Sequence, residues 1–143
     1  MRLARRLTAV ALAAAAAGCG TGGGSGAPSG SWQLTSGKGP AGPLDTPATH
    51  RITLVLENER VGGTAACNSY GGPVEIEGDR IVVGGLAVTE IACEPPRVMA
   101  AEAAYLDALG LTDTIRREGR MLVLTGPSVE LRFEPVPPVD RAP

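Results

Sequence analysis

Apolar and polar residues alternate in short runs along most of the chain, a pattern typical of β-strands with one buried face. The run from His50 to Glu57, for example, places Ile52, Leu54 and Leu56 on one face. Glycine, proline, asparagine and aspartate separate the runs and indicate tight turns. The pattern predicts about eight short strands. Nine segments are candidates for them: Ser31–Thr35, His50–Glu57, Arg60–Ala66, Pro73–Glu77, Arg80–Val83, Leu86–Ile91, Thr112–Arg117, Arg120–Leu124 and Val129–Phe133.

One segment departs from this two-residue period. Between Val98 and Leu109 the apolar residues recur at the spacing of an amphipathic helix. The predicted buried stripe comprises Met99, Ala103 and Leu106, widened by Val98, Tyr105 and Leu109. Pro96 suits the first helical turn, and Gly110 stands where helices commonly end.

Short strands joined by tight turns predict an antiparallel meander. One helix is too small to cover such a long sheet, so we expect the sheet to curl on itself. We therefore predict an α+β fold, with a strongly bent antiparallel sheet or small open barrel of about eight short strands and one helix packed against it.

Turn-forming residues also predict where the chain leaves its strands. The segment Ser36–Thr49 is rich in glycine and proline and is predicted to be an irregular loop. Gly71-Gly72 indicates a sharp turn, and Asn68 suits the same turn region. Cys67 is therefore expected at a strand end, just before the chain reverses, and Cys93 at a second strand end.

Three ordered blocks carry a resemblance to a known family: Ala66-Cys67-Asn68-Ser69-Tyr70-x-Gly72, Leu86-Ala87-x-Thr89-x-x-Ala92-Cys93 and Met99-x-x-Glu102-x-x-Tyr105-Leu106-x-x-Leu109. Together they resemble the META domain, the domain of the HslJ heat-shock protein, from about Trp32 to Phe133. Ala66 stands where a glycine is common in that family, and Glu90-Ile91 where a basic residue and methionine are common.

The resemblance has implications for architecture and for function. It implies the same kind of bent sheet with one helix, and it implies a link with heat-shock and antibiotic-resistance phenotypes without an enzymatic activity. The positions that match the structural motif of the family are Asn68, Tyr70, Gly72, Thr89 and Glu102.

The N-terminus has the features of an export signal. Arginines precede the apolar run Leu7–Ala17, which is too short to span a bilayer and is typical of a signal peptide over residues 1–18. Ala16-Ala17-Gly18-Cys19 resembles a bacterial lipobox, so Cys19 is the expected lipidation (palmitate) site. An ordinary secretory signal cleaved near Gly18 stays open as the alternative. Either signal predicts an extracytoplasmic protein, and lipidation would anchor it to the cell membrane.

Residues 19–30 then form a predicted lipidated cysteine and flexible Gly/Ser tether, 31–134 the META-like domain and 135–143 a Pro-rich tail. The net charge is −2, and loss of the signal with its three arginines would make it −5. This balance offers no electrostatic footprint for nucleic acid and disfavours docking on anionic lipid by charge. We expect a monomer whose contact with the membrane is the N-terminal lipid, and whose envelope partner or ligand is unknown.

Cys67 and Cys93 form an even pair in an exported chain and are expected to be joined in a disulfide. In the chain-entropy model, a disulfide that closes the loop from Cys67 to Cys93 stabilises the folded state by roughly 3–4 kcal/mol. Thiol catalysis and metal binding are the alternatives, but no basic residue lies near Cys67 to activate it.

Few residues suit catalysis, and we predict no catalytic residue, metal or cofactor. His50 is the only histidine and is expected on the surface. Glu75 and Glu77 share a strand face and are expected to be solvated. Two interpretations of Glu102 stay open: a partly exposed helix carboxylate, or a carboxylate hydrogen-bonded to the Asn68–Tyr70 turn that locks the helix to the sheet.

These observations favour a non-catalytic, membrane-anchored envelope module that acts by binding. Its expected contact surface is the Ser36–Thr49 loop, with the Asn68–Gly72 turn if that turn lies nearby. Two alternatives are kept, a small secreted hydrolase and a lipocalin-like carrier. The carrier needs a hollow apolar interior, for which the chain looks too short.

Overall fold

A computed structural model describes residues 27–137, so the predicted signal peptide, Cys19, most of the tether and the end of the tail lie outside the described range. No helix within this range is long and apolar enough to cross a membrane. The elements in chain order are β1 Gly30–Gly39, β2 Gly42–Pro43, β3 Thr53–Glu57, β4 Arg60–Ala65, β5 Asn68–Glu77, β6 Arg80–Val83, β7 Ala87–Val88, α1 Pro96–Gly110, β8 Thr114–Glu118, β9 Met121–Gly126 and β10 Val129–Pro135.

The strands form one antiparallel sheet that closes into a barrel. The hydrogen-bonded neighbours follow the order β10, β9, β8, β6, β5, β4, β3, β1, and β1 then pairs with β10 to complete the ring of eight. β2 folds back on the end of β1, and β7 pairs with β5 outside the ring. The predicted α+β fold, with a curled antiparallel sheet and one packed helix, is confirmed.

The inward faces of the strands fill the barrel with side chains. Leu54, Leu122, Leu131 and Phe133 are fully buried there. Trp32 lies inside near the start of β1, with the guanidinium of Arg117 placed 5.5 Å from the centre of its ring. The barrel therefore has a packed core.

The barrel has two different ends. At the end that we call the helix end, β1 finishes next to α1, where a Cβ on Gly39 would lie 3.8 Å from the Cβ of Ala108. At the opposite end, which we call the terminal end, β1 begins and β10 finishes, and the N–H of Val136 donates to the carbonyl of Ser31 at 2.9 Å. Both ends of the described segment thus leave the barrel on the side away from the helix.

The helix begins and ends close to the prediction, but its buried face is rotated from the predicted stripe. The buried residues of α1 are Val98, Ala101, Glu102, Tyr105, Ala108 and Leu109. Met99 and Leu106 are only half-buried, and Ala103 is exposed. The predicted burial of Val98, Tyr105 and Leu109 is confirmed. The prediction of Met99, Ala103 and Leu106 as the centre of the stripe was wrong, because Glu102 occupies an inward position that an apolar pattern excludes.

The predicted irregular loop over Ser36–Thr49 is correct only in part, because residues 36–39 belong to β1 and Gly42–Pro43 form β2, whereas residues 44–49 contain no helix or strand. β1 continues to Gly39 because its second half pairs with β10, with Gly37 opposite Leu131 after a bulge that follows Leu34. A Cβ at Gly37 would lie 2.9 Å from a methyl group of Leu131, so the glycine permits a close approach of the strands instead of marking a loop.

The predicted turn at Gly71-Gly72 was also wrong. Both glycines lie inside β5, opposite Gly62 and Val61 of β4. The chain reverses earlier, at Ala66, which has a left-handed φ of 70°. A Cβ at Gly72 would lie 2.6 Å from the carbonyl oxygen of Gly85, so close approach of the next loop explains this glycine.

Candidate functional site

A buried polar cluster joins the helix to the β4–β5 turn. One carboxylate oxygen of Glu102, Oε2, accepts hydrogen bonds from the backbone N–H groups of Cys67 at 3.1 Å and Asn68 at 2.6 Å. The other oxygen, Oε1, accepts from the side-chain Nδ2 of Asn68 at 2.8 Å. Glu102 is only 6% exposed. This geometry matches the second interpretation of Glu102, a carboxylate that locks the helix to the sheet.

Asn68 extends the same cluster to the segment that follows β7. Its Oδ1 accepts hydrogen bonds from the Thr89 hydroxyl at 2.8 Å and from the N–H of Ile91 at 2.7 Å, and its Nδ2 also donates to the carbonyl of Ile91 at 2.9 Å. The predicted Leu86–Ile91 strand ends after Val88. The N–H of Thr89 still donates to the carbonyl of Ser69 in β5 at 3.0 Å, but the N–H and carbonyl of Ile91 bond to the Asn68 side chain instead of a strand.

The predicted disulfide is confirmed and flanks this cluster. Cys67 and Cys93 are bonded, with their Cα atoms 5.9 Å apart. The bridge holds the start of β5 next to the approach to α1. Three of the motif residues, Asn68, Thr89 and Glu102, thus lie together beside the bridge.

The other two motif residues lie elsewhere. Gly72 packs against the Gly85 backbone, as described above. Tyr70 points into the core, where its hydroxyl lies 2.7 Å from that of Tyr105 and donates to the carbonyl of Thr53 at 2.9 Å. Burial raises the pKa of both tyrosines well above the usual value. The hydrogen bond to Tyr105 offsets part of this increase in the pKa of Tyr70. Both hydroxyls therefore stay protonated at neutral pH.

The residues weighed for catalysis do not come together. His50 is half-buried before β3, with its Nδ1 3.0 Å from the Thr49 hydroxyl. Glu75 and Glu77 are exposed on the half of β5 that runs to the terminal end. No group of three or more His, Cys, Asp or Glu side chains in residues 27–137 is placed to hold a metal ion.

An open groove of about 720 Å³ lies at the helix end, beside α1. One wall is the β1–β2 hairpin, over residues 39–44, and the other is the outward face of the second half of α1. The lining residues are Gly39, Pro40, Ala41, Gly42, Pro43, Leu44, Ala104, Leu106, Asp107, Gly110 and Leu111. The volume is in the range of ligand-binding clefts.

Sequence reasoning found only half of this groove. Residues 39–44 belong to the loop that was predicted as a contact surface, whereas the Asn68–Gly72 segment does not line the groove. The helical wall was missed because Leu106 was assigned to the core. The signal available in the sequence was Leu111, an apolar residue directly after the expected helix end at Gly110. The structure leaves its side chain 48% exposed.

Comparison with known proteins places these features in a wider context. The sequence model of the META domain family matches residues 27–136. A solved structure described as the NMR structure of the protein from Burkholderia xenovorans is similar, with a TM-score of 0.64 and 26% identity over 76% of this chain and 83% of that one. A second NMR structure, with a TM-score of 0.56 and 15% identity over 73% and 87% of the two chains, shares the fold. No curated protein matches.

Proposed function

The chain belongs to the META domain family, and from that premise we propose that it is a non-catalytic binding module of the cell envelope, tethered to the membrane through Cys19. The observation that carries this proposal is the open apolar groove between the β1–β2 hairpin and α1. Binding requires a rigid scaffold with an accessible surface, and the closed barrel with its docked helix supplies the scaffold.

The state of the chemically capable side chains supports binding over catalysis. Both described cysteines are joined to each other, so neither offers a thiolate. The carboxylate of Glu102 is occupied by three hydrogen bonds from the protein itself. His50 lies at the helix end and the Glu75–Glu77 pair toward the other end, so they do not form a nucleophile–base pair for a secreted hydrolase.

The packed interior speaks against the lipocalin-like carrier. A carrier of that kind holds its ligand inside the barrel. Here Leu54, Leu131 and Phe133 fill the interior and are fully buried. A ligand of this domain therefore binds outside the barrel, where the groove offers an apolar site.

The direction of the tether agrees with a membrane-held module. The described chain leaves the barrel at the terminal end, so a lipid on Cys19 would hold that end toward the bilayer. The groove, at the helix end, would then face away from the membrane toward a partner in the envelope.

Two sets of variants test the proposal in the native host. Cys19→Ser should move the protein from the membrane fraction to the soluble extracytoplasmic fraction, and unchanged membrane association would contradict lipid anchoring. A combined His50→Ala, Glu75→Gln and Glu77→Gln variant should still complement the stress or resistance defect of a deletion strain. Loss of complementation with an unchanged melting temperature would favour an active site instead.

A further inference from the structure

The groove combines an apolar lining with a single charged side chain, and this combination restricts what it binds. We propose that it takes an extended peptide segment of a partner protein in which an apolar side chain lies next to a lysine or arginine. This inference rests on the proposed binding function and names the chemistry of the partner at that same site.

The apolar part of the ligand is indicated by the two walls. Leu106 from α1 and Leu111 just beyond it project apolar surface that the barrel leaves accessible to solvent. Pro40 and Pro43 supply apolar surface from the hairpin. Removing such surface from water is favourable, and an aliphatic or aromatic side chain inserted between the walls would cover it.

The charged part is indicated by Asp107. It is the only ionisable residue of the groove lining, and no cationic group of residues 27–137 lies within 4.0 Å of its carboxylate. It is exposed, so its charge remains available to a ligand.

The end of the helix strengthens the same preference. α1 has no basic residue in its last turn, so the partial negative charge at its C-terminus has no compensating cation from its own sequence. Asp107 and Gly110 lie in that last turn and line the groove. A lysine or arginine placed there gains from the carboxylate and from the helix terminus together.

The shape of the groove favours a peptide over a compact small molecule. A drug-sized ligand normally buries roughly 70–90% of its surface in an enclosed cleft. This groove is open to solvent and would cover less of such a ligand. A peptide inserts individual side chains and leaves its backbone outside.

The test uses the full-length chain carrying Cys19→Ser, panned against random dodecapeptides displayed on phage. Selection on this protein, with depletion on Ala104→Trp, should enrich peptides with lysine or arginine within two positions of a large apolar residue. Ala104 is exposed in the groove wall, so tryptophan there fills the groove. Ala100→Trp is the matched control, because Ala100 is exposed one turn earlier on the same helix and does not line the groove.

The dissociation constants of the enriched peptides then separate charge from shape. Asp107→Asn should weaken binding about two- to fivefold, as expected for one exposed ion pair, and Asp79→Asn at the opposite end should not. Ala104→Trp should weaken it more than about tenfold, and Ala100→Trp should not. When the lysine of the peptide is replaced with norleucine, Asp107→Asn should no longer change the dissociation constant.

Three results would overturn the inference. The first is that the enriched peptides lack a basic residue. The second is that a peptide binds the Asp107→Asn variant as tightly as the protein with Asp107. The third is that no peptide is enriched that the Ala104→Trp variant fails to bind. Binding of dodecyltrimethylammonium in the groove with no peptide enriched would assign the site to small amphiphilic cations and would equally refute a peptide. If Ala104→Trp still abolishes function in the cell, each of these results refutes the peptide ligand but retains the proposed binding function of the groove, with a different ligand.

Discussion

The carboxylate of Glu102 accepts a 2.6 Å hydrogen bond from the backbone N–H of Asn68, 34 residues earlier in the chain. The bond joins the middle of α1 to the start of β5, and the Asn68 side chain then ties both to the segment around Ile91. The cluster satisfies a buried carboxylate entirely with hydrogen-bond donors of the protein, and it sets how the helix sits on the barrel.

Glu102→Gln tests this contact. The glutamine amide has one oxygen, so if that oxygen accepts from the backbone N–H groups, its NH₂ faces the Nδ2 donor of Asn68. We expect a loss of about 1–3 kcal/mol in the free energy of unfolding, measured by urea denaturation. Glu75→Gln, an exposed carboxylate on β5, is the control and should change it by less than about 0.5 kcal/mol. Equal effects of the two substitutions would contradict the assigned role.

The disulfide gives a second prediction. Mass spectrometry of freshly exported, non-reduced protein should find one peptide pair joined through Cys67 and Cys93. Because the bridge closes a loop with a sequence separation of 26, its reduction should lower the free energy of unfolding by roughly 3–4 kcal/mol. Two free thiols in native material would refute the bridge.

The tyrosine pair predicts a resistance to alkaline titration. The chain has two tyrosines, Tyr70 and Tyr105, and both have a raised pKa in the folded state. Their contribution to stability is fully present below the unfolded pKa, about 10, and is lost as the pH rises above it. Tyrosinate absorbance at 295 nm should therefore stay low above that pH and appear together with unfolding by circular dichroism. A titration near the ordinary pKa in still-folded protein would refute the buried pair.

Two leucines of α1 predict different costs of truncation. Leu109 is fully buried, so Leu109→Ala should lower the free energy of unfolding by about 2–5 kcal/mol. Leu106 is half-buried, with one side against the core and the other in the groove, so Leu106→Ala should lower it by less than about 1.5 kcal/mol. The comparison is made by thermal and urea denaturation of the two variants. A larger effect at Leu106 than at Leu109 would return the helix to the orientation predicted from sequence.

The fold was predictable because the period-two runs and the helical segment are local patterns. Closure of the barrel was not, because it depends on β1 pairing with β10 across the whole sequence. The same pairing explains the error at Gly37, whose glycine serves close strand contact and not a loop.

The candidate site was predictable only in part. Cys67 and Cys93 could be paired because export and an even cysteine number restrict the choices. The inward orientation of Glu102 could not be derived from periodicity, because a buried carboxylate is stabilised by donors that come from distant segments. The error in the helix face also hid Leu106, which was assigned to the core and instead lines the groove beside Asp107.

The structure also changes how the contact surface has to be tested. Deleting residues 37–47 would remove part of β1, together with Leu44, which packs against the core, and the buried Pro47. Such a deletion would destabilise the domain and would not isolate a binding defect. A substitution that fills the groove without touching the core avoids this problem.

The central claim is that the domain acts through the groove, and groove filling in the cell tests it most directly. Full-length Ala104→Trp and Ala100→Trp are expressed from the native locus and compared for survival of envelope stress with the wild type and a deletion strain. With melting temperatures and membrane levels equal, Ala104→Trp should behave like the deletion and Ala100→Trp like the wild type. Full survival with Ala104→Trp would contradict the account.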